Sequence, residues 1–259
     1  MIEVGTSGWQ YRWWKGRFYP KDVPQRAWLE HYASRFSTVE VNNSFYQLPS
    51  ESTFDRWREQ VPAGFTFAVK ASRYITHIRR LRDCRDPVRL FWSRATLLRA
   101  ALGPVLFQLP PNLRADPELL ERFLRVLPRP MRPAFEFRDD SWRDDRVVKL
   151  LDDAGAAWVM ADRPGWRVPV IVTGGWSYIR FHQGRRTEPA YSRGKLRTWA
   201  ERIAALDVSA CFCFFNNDEG GAAPDDAAAL TDLLIARGAA VAGVPREARE
   251  ATGAPATGP

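Results

Sequence analysis

Histidine and cysteine are scarce in this 259-residue chain, with three of each. The cysteines are Cys84, Cys211 and Cys213, and an odd count does not suggest a disulfide framework. Cys211 and Cys213 stand two apart in a strand-like run and so share a face, which reads most simply as small buried side chains. His31, His77 and His182 offer few imidazoles for a metal site. His31 falls in a helical stretch and reads as a structural residue. No run reaches the ~18 apolar residues of a membrane span, and nothing suggests a membrane partner. The start, MIEVGTSGW, shows no basic segment and no apolar run before a cleavage site, so the expected location is cytoplasmic. Acidic residues are in the minority: 30 Asp and Glu against 38 Lys and Arg give a formal charge of +8. That balance admits nucleic acid or an anionic small molecule as a partner. Arginine supplies nearly all of it and is spread along the chain.

What is present is ordinary for a globular protein: 45% hydrophobic and 26% charged residues. Eight short strand-like runs follow one another. They begin at Ile2 (IEVGT), Thr38 (TVEVN), Phe65 (FTFAVK), Pro104 (PVLFQL), Pro133 (PAFEF), Ala157 (AWVMAD), Trp176 (WSYIRFH) and Ala210 (ACFCFFN). Helical spacing separates most of them. It is clearest at Leu119, Leu120, Phe123, Leu124 and Leu127, at Leu196, Trp199, Ala200, Ile203 and Ala204, and from Leu90 to Leu102. Asp86-Pro87 and Asp116-Pro117 each read as a cap followed by proline at the first helical position. Strands alternating with helices imply a parallel sheet, and eight in one domain favour closure. The predicted fold is therefore α/β, a single (β/α)8 TIM-type barrel over residues 1–244. Between the sixth and seventh strands RPGWRVPVIVTGG shows no helix, so the barrel is expected to be irregular there. Residues 245–259 read as a disordered tail.

Within the strands, polar residues recur at every second position. Glu40 and Asn42 oppose Val39 and Val41. Glu136 and Arg138 oppose Phe135 and Phe137, and Arg180 and His182 oppose Ile179 and Phe181. An antiparallel sheet with one wet face would alternate too, but the intervening helices favour a parallel one. The polar set should then point into the barrel near the C-terminal strand ends, where such barrels keep their sites. The other strand ends add Thr6, Ser7 and Trp9; Tyr46; Lys70 with His77 in its loop; Gln108; Trp142; Asp162; and Asn216.

Several of these segments resemble one family. GTSGW, FYP, VEVNNSFYQLP, FAVKASRYITH, GPVLFQLPPNL, FEFRDDSW, YIRFH and FFNND are similar to the YecE-like family, domain of unknown function 72, in order from Gly5 to about residue 230. The resemblance implies a barrel related to xylose isomerase and endonuclease IV, and it implies no particular reaction. Carried over by position, the motif residues include Thr6, Ser7, Trp9, Glu40, Asn42, Tyr46, Lys70, His77, Gln108, Glu136, Arg138, Trp142, Asp162, Arg180, His182 and Asn216. The chain departs from the pattern at His182-Gln183-Gly184, where many members have His-Gly. It also departs at Asp226-Ala227, where asparagine often precedes the alanine.

Three chemistries suit these residues. A divalent metal would use Glu136, Asp162 and His182, with Glu40 able to join; the shortage of histidine argues against it, and against a trinuclear zinc cluster most of all. No cofactor is predicted. Acid–base catalysis would use Glu136 and His182, with Glu40 and Asp162 as further carboxylates. Lys70 would act as a desolvated nucleophile or a charge clamp. The competing reading of the same set is a structural ring of ion pairs. Anion binding would use Arg138 and Arg180, the arginines after Lys70 (Arg73, Arg79, Arg80, Arg82, Arg85), and the loops after the last two strands, with Arg185, Arg186 and the Gly220-Gly221 pair. A solvated basic loop is the plainer account. Trp9, Tyr46 and Trp142 are expected to form an aromatic wall. The leading expectation is an enzyme for a small anionic or polyhydroxylated substrate. The rivals are a nucleic-acid-binding protein or phosphodiesterase, and a ligand sensor without catalysis.

Overall fold

The computed structural model describes residues 1–165, 168–183 and 188–243. Eight parallel strands close into a barrel in sequence order: β1 (Ile2–Ser7), β2 (Thr38–Val41), β3 (Thr66–Lys70), β4 (Leu102–Gln108), β5 (Pro133–Glu136), β6 (Ala157–Asp162), β7 (Ser177–Phe181) and β8 (Cys211–Phe215). Closure runs from Ile2 opposite Cys211 to Thr6 opposite Phe215. Each strand falls on one of the eight runs read from the sequence. At Gly5 the neighbouring strand comes so close that a Cβ would sit 2.1 Å from Thr38 O, which only glycine permits.

The helices are α1 (Trp28–Ala33), α2 (Asn43–Tyr46), α3 (Glu51–Glu59), α4 (Arg85–Ala95), α5 (Pro117–Leu124), α6 (Asp145–Asp153), α7 (Arg193–Ala204) and α8 (Ala222–Ile235). α5 starts as its sequence predicts, with the Asp116 carboxylate accepting from Leu119 N at 2.9 Å and proline next. α4 does not. It begins at Arg85, the residue before Asp86, and Val88 N donates to the Cys84 carbonyl. Asp86 thus lies inside the first turn and caps nothing. The helical stretch read on to Leu102 breaks at Arg99, whose φ is 52°. Between β6 and β7 there is no helix among the described residues. A tight turn replaces it, in which the Thr173 hydroxyl donates to Ala156 O and accepts from Trp158 N.

Alternation along the strands makes two cores. Outward side chains such as Val39, Phe107, Phe135, Ile179 and Phe215 pack under the helices. Inward ones fill the lower barrel with Ala68, Leu106, Ala134, Val159, Tyr178, Phe212 and Phe214. A fully buried aromatic or aliphatic side chain contributes about 1.5–3 kcal/mol. Both cores are apolar, and above the inner one the ionisable side chains Glu40, Lys70, Glu136 and Arg180 face inward at the C-terminal ends of the strands. The tail expected after residue 244 lies outside the described residues.

Candidate active site at the barrel mouth

Arg180, at the end of β7, is the centre of the upper layer. Only 1% of its surface is exposed, and it bridges two carboxylates that are wholly buried. One terminal nitrogen donates to Glu136 Oε2 at 2.6 Å and the other to Glu40 Oε1 at 2.7 Å. The remaining oxygens are also used. Tyr178 Oη donates to Glu40 Oε2 at 2.6 Å, and Arg138 Nε to Glu136 Oε1 at 3.0 Å. Gln108 links the next strand: its amide nitrogen donates to Glu136 Oε2, and its carbonyl accepts from Lys70 Nζ, each at 2.9 Å. Side chains from β2, β3, β4, β5 and β7 thus form one connected network. Buried charges are tolerable only when paired and hydrogen-bonded in this way.

Burial opposes the charge on Glu40 and Glu136, but the Arg180 guanidinium and the other donors around them together outweigh it. Glu40 is held below its ordinary range and Glu136 well below it. Arg180 is desolvated as well, and the two carboxylates more than compensate, so it stays protonated. Lys70 goes the other way. Burial, with Arg180 next, lowers its amine to about 8. Two carboxylates therefore face three cations, Lys70, Arg138 and Arg180. Arg163, just after β6, lies near enough to feel both Arg138 and Glu136. The upper layer carries an excess of positive charge toward its opening.

His182 sits against Glu136, with Nε2 3.4 Å from Oε1. Asn216, at the end of β8, places its amide nitrogen 3.1 Å from His182 Nδ1. With the Asn216 amide nitrogen donating, Nδ1 accepts, and the tautomer that matches carries its proton on Nε2, toward the carboxylate. Burial lowers the imidazole below its usual range despite Glu136, which leaves it neutral near pH 7. His77 is nearby, bonded to Thr76 through Nδ1 and lowered to about 4 by burial and by Lys70 and Arg138.

Glu40, Lys70, Gln108, Glu136, Arg138, Arg180, His182 and Asn216 are thus brought together. Ser7 faces inward on β1 with its hydroxyl buried against Glu40, and Asn42 Oδ1 is buried and unpartnered beside the mouth. Five expected site residues lie elsewhere. Thr6 has the opposite strand phase from Ser7, and its hydroxyl donates to Gly8 O at 2.7 Å and lies 3.0 Å from Tyr32 Oη of α1. Asp162 points outward from β6, accepting from Trp199 Nε1 at 2.7 Å and Lys195 Nζ at 3.0 Å on α7. Its inward neighbours are Ala157 and Val159. The metal set Glu136, Asp162 and His182 is therefore not assembled, and no group of three or more His, Cys, Asp or Glu among the described residues could hold an ion. Trp142 is fully buried outside the barrel, stacked on Phe137 and donating to Leu113 O. Tyr46 is 81% exposed, and Trp9 packs edge-on against Trp57. Trp9 and Tyr46 border one cavity with Trp57, but Trp142 does not join them, so the expected wall of three does not form.

Of the arginines after Lys70, Arg80 reaches the Asn112 carbonyl at 2.6 Å and Arg79 stacks on Tyr74. Arg185 and Arg186 lie outside the described residues. Two features were missed. Tyr178 had a signal, since it stands two before Arg180 on one strand face. The pairing of Trp13 and Trp14 with Asp218, described below, joins residues over 200 positions apart and had none.

The fold and this mouth define a closed (β/α)8 barrel with a charged, hydrogen-bonded layer at the C-terminal strand ends. The chain belongs to the family described as "Protein of unknown function DUF72", whose pattern matches residues 3–251. It is 25% identical to the UPF0759 protein YunF of Bacillus subtilis over 90% of this chain and 95% of that one. It is 34% identical to the UPF0759 protein YecE of Escherichia coli over 110 residues, 42% of this chain and 38% of that one. A crystal structure of a DUF72 family protein from Thermotoga maritima superposes with a TM-score of 0.82 at 28% identity, covering 91% of this chain and 99% of that one. A DUF72 family protein from Enterococcus faecalis, 18% identical, shares the fold with a TM-score of 0.77 over 91% of this chain and 96% of that one. Among the described residues no helix is long and apolar enough to cross a membrane.

Proposed function

We propose that this barrel is an enzyme acting on a small anionic or polyhydroxylated molecule bound at the mouth. One observation carries the reading: a neutral imidazole rests against a buried, ionised carboxylate within a layer that holds more cations than carboxylates. Glu136 fixes the Nε2–H tautomer and would stabilise an imidazolium, which leaves Nδ1 as the basic atom. The Asn216 amide occupies the position a substrate O–H or C–H would take. A general base needs this combination of a lone pair aimed outward and a partner for the charge it acquires. Arg138, with 29% of its side chain exposed, offers its terminal nitrogens to an anion.

The test is calorimetric titration with inorganic phosphate, sugar phosphates and small hydroxy acids. A binding anion should lose affinity roughly tenfold in Arg138→Ala, one charge-assisted hydrogen bond being worth about 1.5–3 kcal/mol. Once a turned-over substrate is found, Glu136→Gln and His182→Ala should lower kcat by about 100-fold or more. The reading fails if none of these compounds binds, or if both variants keep full turnover. Affinity only for single-stranded oligonucleotides, falling steeply with salt, would replace it with a nucleic-acid role.

A further inference from the structure

Among the described residues, Lys70 in the upper layer is hydrogen-bonded to no carboxylate. It ends β3 on the inner face and is 8% exposed. Its Nζ donates to the neutral carbonyl of Gln108 at 2.9 Å and lies 4.1 Å above the Phe45 ring. All four carboxylate oxygens nearby are already engaged, by Arg180, Tyr178, Arg138 and Gln108. An ammonium in that setting is poorly solvated and next to other cations, which are the two conditions that free an amine for attack on a carbonyl.

Composition strengthens the point. The chain has 33 arginines and only five lysines. Arginine already supplies the permanent charges of this layer, at Arg138 and Arg180. A guanidinium cannot lose its proton under working conditions and cannot become a nucleophile, whereas an amine can. The position at the end of β3 carries the residue type that is rare in the chain and suited to covalent chemistry.

We propose that Lys70 forms an imine with the carbonyl carbon of a small anionic oxo compound, held by Arg138 at the mouth. This rests on the reading of the mouth as an anion site and names the class of substrate within it. The neutral Nζ lone pair attacks the carbonyl carbon. The carbonyl π pair moves to oxygen, which takes up a proton, while nitrogen gives one up, and a carbinolamine results. Protonation of its hydroxyl and loss of water then leave a protonated C=N bond. The sum is amine plus carbonyl plus a proton giving iminium plus water, with no change of oxidation state. His182, held against Glu136, is the proton-carrying group of the same layer. The groups that set the charge on Lys70 are Arg180 and Arg138, which disfavour the ammonium, and Glu40 and Glu136, which favour it. His77 is neutral and close enough to feel the lysine.

The experiment is reductive trapping on the full chain. The protein is incubated separately with pyruvate, glyoxylate and glyceraldehyde 3-phosphate, each with sodium cyanoborohydride, and then weighed intact and mapped by peptide. The expected result is one adduct, on the peptide that contains Lys70. At pH 8 it should form at least about tenfold faster than at any other lysine, because roughly half of an amine titrating at 8 is neutral there against under one per cent of an ordinary one. The rate should rise with pH to a midpoint of about 8, and Lys70→Arg should abolish it while still binding phosphate. Should that variant fail to fold, inorganic phosphate in the wild-type reaction should slow labelling at Lys70 and at no other lysine. Phosphate binding without any adduct on Lys70, or adducts spread evenly over the lysines, overturns the imine and leaves the anion site standing. Neither binding nor adduct overturns both.

Discussion

Glu136 and Asp218 are both buried carboxylates, and their surroundings push them in opposite directions. Burial raises each. At the mouth, Arg180 and Arg138 reverse that effect and hold Glu136 well below its ordinary range. At Asp218, on the loop after β8, the donors are the indole N–H groups of Trp13 at 2.8 Å and Trp14 at 2.5 Å. These bonds are short, but they come from neutral groups, and the carboxyl rises to about 6. Hydrogen bonds from two neutral donors offset only part of the cost of desolvation; the Arg180 guanidinium together with His182 and Arg138 more than offsets it. The mouth is built to keep its charge. The seam between the loops that follow β1 and β8 is built so that its charge is lost a little below neutral pH.

The largest effect expected from this contrast comes from removing the cation. Arg180→Met keeps much of the volume and leaves Glu40 and Glu136 buried without their shared partner. Breaking a buried pair in this way costs about 3–5 kcal/mol, and two carboxylates lose support at once. Urea unfolding should show the midpoint falling while the slope is retained. A loss under about 1 kcal/mol would mean that water already reaches these carboxylates, and the contrast with Asp218 would disappear.

The mouth was more legible in sequence than the seam, for reasons visible in particular residues. TVEVN, PAFEFR and SYIRFH each carry polar groups on one face only, so Glu40, Glu136, Arg138, Arg180 and His182 declare their side. AWVMAD is buried on both faces. It has no alternation to read, and Asp162 was placed at the mouth when its true partners are Trp199 and Lys195. Thr6 and Ser7 are adjacent small hydroxyls, and nothing local says which one faces inward. Trp142 follows a strand, as an aromatic wall would require, but the turn that tucks it under Leu113 depends on tertiary packing. Asp218 pairs with tryptophans 204 and 205 positions away. No periodicity carries that information.

A middle-sized effect separates the two carboxylate environments by pH. Glu40 and Glu136 have folded-state values below their unfolded ones. They contribute stability that is complete above about 4.5 and is lost as the pH falls below that toward the depressed values. His182 adds to the loss, because the unfolded chain takes up its proton below about 6.5 while the folded imidazole resists. Wild-type stability should therefore drop steeply below pH 5. In Arg180→Met the carboxylates lose what depresses them, so the slope over the same range should flatten. An equal slope in both proteins would show that the acid sensitivity comes from outside the mouth.

The smallest effect has the opposite sign and belongs to Asp218. Its folded-state value, about 6, lies above the ordinary 3.8. Between those values the folded chain holds a proton that the unfolded chain releases, so this group alone makes the protein more stable as the pH falls from about 6 toward 4. Asp218→Asn removes the titration and keeps an oxygen to accept one of the two indoles. The wild type should gain on this variant as the pH is lowered, by an amount on the order of 1 kcal/mol. Denaturation curves for the pair at pH 7 and pH 4.5 measure it, and the difference of differences cancels everything the mouth contributes. A gap that is constant across that range, or that narrows toward acid, would place Asp218 with Glu136 as a carboxylate whose charge the fold favours, and the two indoles would then be doing what the mouth needs a guanidinium to do.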